Sequence, residues 1–126
     1  MLITNFKIPE DMKADWEPAK REAFSVMSKI AELRGLILYS NLTKRIHSIQ
    51  FEPWESMFHY FLGEISSEEN MAGRGMLTAV VVREKDMRPG GGFLKLAESL
   101  GRDIDLPEVF WQKELENVYR VWSKKR

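Results

Sequence analysis

Met76-Leu77-Thr78-Ala79-Val80-Val81-Val82 is the one long apolar run with strand character in the chain. Gly73 and Gly75 precede it, and the basic, glycine-rich stretch Arg83-Glu84-Lys85-Asp86-Met87-Arg88-Pro89-Gly90-Gly91-Gly92 follows it. Apolar residues occupy both alternating sets, so the run does not fit a surface strand with one wet face. It predicts a strand buried on both sides, with the remaining apolar stripes packed around it.

Those stripes have helical spacing. Trp16, Ala19, Ala23, Val26, Ile30 and Leu33 recur at three- and four-residue steps and predict a first helix from about Asp15 or Glu17, with Pro18 in its first turn. Gly35 is placed to end it. Leu36 to Tyr39 predicts a short strand, and Ser40 a cap for a second helix over 41–48. Pro53 opens a predicted third helix, in which Trp54, Met57, Phe58, Phe61, Leu62 and Ile65 give the strongest amphipathic signal in the chain. Phe93, Leu96, Ala97 and Leu100 mark a fourth helix ended by Gly101. Trp111, Leu115, Val118 and Trp122 mark a last one starting at Pro107. Four tryptophans and seven phenylalanines are many for this length, and most fall on these stripes as core residues. Leu2, Ile3, Phe6 and Ile8 suggest that 1–14 forms a docked arm or edge strand. The sum is an α+β class: a mostly helical single domain, 1–126, with a small sheet. A chain of 126 residues buries enough surface to need no metal or disulfide staple.

The absence of cysteine removes disulfides, thiolate metal sites and cysteine nucleophiles together. No segment reaches the ~20 apolar residues of a membrane span, and 1–7 lack the pattern of a signal peptide. The expectation is a cytoplasmic protein with no membrane partner. The two histidines do not build a metal centre: Glu55 and His59 sit four apart on one predicted helix, and a site needs three or four ligands. No serine elbow, paired-carboxylate motif or cofactor fingerprint is present, so the expectation is a non-catalytic protein without cofactor or metal. An enzyme of unrecognised type is the third-ranked reading.

Charge carries more information than those absences. The 19 basic and 19 acidic residues cancel overall but are segregated along the chain. From Met71 to Lys95, Arg74, Arg83, Lys85, Arg88 and Lys95 face only Glu84 and Asp86, a net of +3. From Glu98 to Glu116, six acids face two bases, a net of −4. Gly90, Gly91 and Gly92 add conformational freedom and successive backbone amides leading into a helix N-terminus, which suits an anion. These eight residues, Arg74, Arg83, Lys85, Arg88, Gly90, Gly91, Gly92 and Lys95, are the predicted ligand site. The expected ligand is nucleic acid or a phosphate-bearing molecule. The alternative is a protein partner or homodimer in which acidic and basic segments pair between chains. The glycines lack the spacing of a P-loop or a dinucleotide fingerprint.

The second and third predicted helices, joined by about three residues and followed by a strand and a basic loop, resemble a winged-helix domain over 18–92. That resemblance implies DNA binding through a helix-turn-helix in a winged-helix-like middle. The chain departs from it after Gly92, where a helix follows in place of a returning strand. Gly91-Gly92-Phe93-Leu94-Lys95-Leu96 also resembles the glycine-rich turn and helix of alkylguanine alkyltransferases and alkyltransferase-like proteins. Their reactive-cysteine signature is absent, so no activity is implied.

Overall fold

The structure, a computed structural model, describes residues 7–123. The helices are α1 (Lys13–Glu32), α2 (Tyr39–Lys44), α3 (Ser56–Met71), α4 (Gly91–Ser99) and α5 (Pro107–Ser123). Two-residue strands β1 (Ile37–Leu38) and β2 (Val81–Val82) pair in parallel, Ile37 with Val81 and Leu38 with Val82. The fold is thus a mostly helical single domain with a small parallel sheet. Of the expected N-terminal arm, Leu2, Ile3 and Phe6 lie outside the described residues, while Ile8 packs on the core.

The apolar run that anchors the sequence is central but is not a strand along its length. Every residue from Met76 to Val82 is buried, yet Leu77–Val80 is a 3₁₀ turn and only Val81–Val82 joins the sheet. Its backbone is satisfied by side chains instead of a ladder. The Met76 amide donates to Glu114, the Thr78 amide and hydroxyl both donate to Ser66 Oγ, and Trp111 Nε1 donates to the Ala79 carbonyl. Burial on all sides removes any periodicity that separates a strand from a tight helical turn. This 3₁₀ turn packs against α1, α3 and α5.

α1 begins two to four residues earlier than expected because a 3₁₀ turn, Glu10–Met12, leads into it. Pro18 therefore lies inside the helix and removes the amide donor for the Ala14 carbonyl, which sits on a residue exposed to solvent. The buried face is Trp16, Ala19, Lys20, Ala23, Met27 and Ala31; Val26 and Ile30 are half-buried and Leu33 is exposed. The left-handed residue just past the end of α1 is Arg34 (φ 56°), not Gly35. The Gly35 amide closes back on the Ile30 carbonyl. Arg34 is held there by Glu116, 3.1 Å away, and by the face of Tyr119. The Tyr119 hydroxyl donates to the Gly35 carbonyl at 2.7 Å, tying the end of α1 to α5.

α2 stops at Lys44, and α3 starts only at Ser56, with Glu55 as its N-cap. The helix-turn-helix spacing is therefore absent: the long segment 45–55 separates the two helices. Trp54 lies before α3 and is 76% exposed, and Phe51 takes the core position expected of it, against Trp16, Phe58 and Phe61. His59 pairs through Nε2 with the Pro53 carbonyl and not with the Glu55 side chain.

The apolar residues form two clusters. The larger joins α1, α2, α3 and the end of α5. The smaller gathers Met76, Ala79, Val82, Phe93, Leu96, Ala97, Phe110 and Trp111, and Leu115 touches both clusters. The smaller one fixes α4 and the start of α5 around the basic loop.

Candidate ligand cleft

Residues 83–88 fold into a self-contained turn. The Arg83 amide donates to the Arg88 carbonyl and the Met87 amide to the Arg83 carbonyl, both at 2.9 Å. Met87 closes the turn with φ 57°. Asp86 organises it: its carboxylate accepts from the Arg83 guanidinium at 2.6 Å and from the Arg88 amide at 3.2 Å. The Arg83 hydrogen bond, with help from the Arg88 amide, holds the Asp86 carboxyl below its ordinary pKa. The loop is thus a built element.

Beyond it, the Gly90 amide donates to the Tyr39 hydroxyl at 2.9 Å. Burial pushes the Tyr39 phenol up, against the opposing pull of that amide and of Arg83. Among Gly90, Gly91 and Gly92 none has a positive φ, and a Cβ on Gly91 or Gly92 meets open space. Their special backbone freedom is not used here. What they provide is a bare α4 N-terminus, whose first amides have no preceding helical carbonyl.

A cleft of about 340 Å³ lies between this loop and the first turns of α5. Pro89, Leu94, Pro107 and Trp111 give it apolar walls, and Arg83, Asp86, Arg88 and Glu108 line it with charge. Arg88 reaches across to Glu108 at 2.9 Å, with side chains 57% and 40% exposed. A larger depression, about 670 Å³, lies on another side of α5 between Arg102 and Asn117. Its charged centre is committed to structure. Buried Glu114 accepts from Arg102 and from the Met76 amide, and Arg102 also donates to Asn70.

The eight residues expected to share one site are divided. Arg83 and Arg88 line the cleft, and Gly90 sits behind it on Tyr39. Gly91, Gly92 and Lys95 are exposed on the start of α4, and Lys85 is exposed on the loop. Arg74 stands apart at the end of α3, where both oxygens of Glu69 bind its guanidinium, at 2.8 and 2.7 Å. Glu69 and Glu108, from outside the basic segment, thus pair with two of its five cations, and Asp86, within it, pairs with a third. Glu108, Trp111, Pro107, Leu94 and Pro89 were not expected at the site. Only the opposite charge of the segment containing Glu108 hinted at its pairing with the loop.

Among the described residues, no group of three His, Asp or Glu side chains is placed to hold a metal ion. No described helix is long and apolar enough to cross a membrane. No protein-family model, curated protein or solved structure matches this chain.

Proposed function

We propose that this protein is a binding module that takes a compact, phosphate-bearing ligand in the cleft between the 83–90 loop and α5. One observation carries the reading: two arginines converge on a cleft whose walls are proline, leucine and tryptophan. Guanidinium groups match phosphate oxygens bidentately, and apolar walls suit the body of the molecule that carries the phosphate. The local neutralisation of Arg74, Arg83 and Arg88 favours a small anion over a long polyanion, which needs a continuous row of uncompensated cations.

Adenosine 5′-monophosphate is a suitable probe because it joins a phosphate to a planar body, and Trp111 in the cleft wall offers a fluorescence signal. Binding is expected to weaken by about tenfold or more in Arg83→Ala or Arg88→Ala, the range of a lost charge-assisted hydrogen bond. A short single-stranded oligonucleotide is the competing probe. If it binds tightly with a steep salt dependence while the mononucleotide does not bind, the ligand is nucleic acid. Failure of both probes at millimolar concentration sinks the cleft as an anion site.

A further inference from the structure

The inference rests on the anion seat just proposed. The two arginines of the cleft are engaged differently. Arg83 is satisfied within its own turn by Asp86. Arg88 instead leaves the loop and meets a carboxylate on another element, Glu108 in the first turn of α5. Both partners are substantially exposed, so water and solutes reach the pair. Glu108 is tethered beside Arg88, and a tethered group acts at an effective concentration in the millimolar range. Any incoming anion has to displace it.

We propose that Glu108 is an internal competitor at Arg88, and that the cleft binds phosphomonoesters in preference to phosphodiesters. The reason is charge. A monoester carries about −1.5 to −2 at neutral pH and three terminal oxygens, and so exceeds a carboxylate both in charge and in acceptors. A diester carries a single charge and gains nothing over the carboxylate it replaces. Glu108, once released, remains in the first turn of α5, where the helix dipole favours a negative charge. Opening the pair therefore strands no buried ion.

The test compares adenosine 5′-monophosphate with adenosine 3′,5′-cyclic monophosphate, a monoester and a diester of the same nucleoside, by calorimetry on the full chain. The wild-type protein is expected to bind the monoester about tenfold more tightly, the scale of one extra charge at a paired arginine. Glu108→Gln should tighten both nucleotides, each by about fivefold, and leave their ratio in place, because freeing Arg88 acts on every ligand alike. Glu108→Asp keeps the charge in the first turn of α5 but shortens its reach, and should behave like the glutamine variant. Unchanged affinities for both nucleotides in both variants overturn the competitor and leave the cleft standing. Equal affinity of the wild-type protein for the two nucleotides overturns the selectivity. If no variant binds either nucleotide, the anion seat itself falls.

Discussion

Among the glutamates on α5 that pair with arginines from elsewhere in the chain, Glu114 and Glu108 serve opposite ends. The Glu114 side chain is 2% exposed; it accepts from Arg102 and, at 2.7 Å, from the Met76 amide. Arg102 in turn reaches Asn70 at 3.0 Å and covers the ring of Phe110. That constellation clamps the central 3₁₀ turn and the end of α3 to α5. Glu108 lies less than two turns earlier on the same helix, 40% exposed, and its ion-pair partner Arg88 is 57% exposed. The chemistry of the two pairs is the same. Burial and the number of further partners separate a structural joint from a contact that can exchange with a solute.

The sharpest way to break this comparison is Glu114→Ala. It leaves the buried Met76 amide without its acceptor and the partly exposed Arg102 with Asn70 alone, and is expected to cost about 2–4 kcal/mol. Urea denaturation measures it; a loss below about 1 kcal/mol would place Glu114 in the same class as a surface pair. The second test probes the same joint without touching its charges. Gly75 has φ 87°, and a Cβ there would lie 2.8 Å from Asn117 Nδ2 and 3.1 Å from Glu114 Oε2. Gly75→Ala is therefore expected to destabilise by about 1–3 kcal/mol, from strain and displacement of the clamp. Gly91→Ala is the matched control at the cleft. Its Cβ enters open space with no positive φ to oppose it, and stability should hold or rise by up to about 1 kcal/mol.

This contrast was only half legible in the sequence. α4 was read well, because Phe93, Leu96 and Ala97 repeat at helical spacing and Gly101, at φ 82°, ends the helix as expected. The centrality of Met76–Val82 was legible from its apolar content, but its conformation was not, since a fully buried run has no wet face to reveal its period. Trp54 shows a different limit. It extends the α3 stripe backwards by arithmetic, yet Pro53 and the Glu55 cap start the helix after it, and Phe51 fills the space. At the cleft, Arg83 and Arg88 were identifiable as cations near glycines. The carboxylate partner of Arg88, Glu108, was not, because the +3 and −4 segments pair only through tertiary packing. Glu114 was hidden most deeply. A charged residue on the buried face of an amphipathic helix reads as an error in the pattern until its arginine and backbone partners are seen.

The smallest expected effect concerns Glu108 itself. Glu108→Gln removes one exposed ion pair and one favourable charge from the first turn of α5. Each contributes only a few tenths of a kcal/mol, so the total loss should stay below about 1 kcal/mol. The two contributions are distinguishable from the Glu114 joint by salt. Raising the ionic strength from about 0.01 M to 1 M shortens the screening length from about 30 Å to about 3 Å, which weakens an exposed pair. The stability difference between the wild-type protein and Glu108→Gln should therefore shrink towards zero in 1 M salt, while the difference for Glu114→Ala persists. If the Glu108 difference proves large and insensitive to salt, the pair is a second structural joint. The cleft would then be closed by design, and Arg88 would not be available to a ligand.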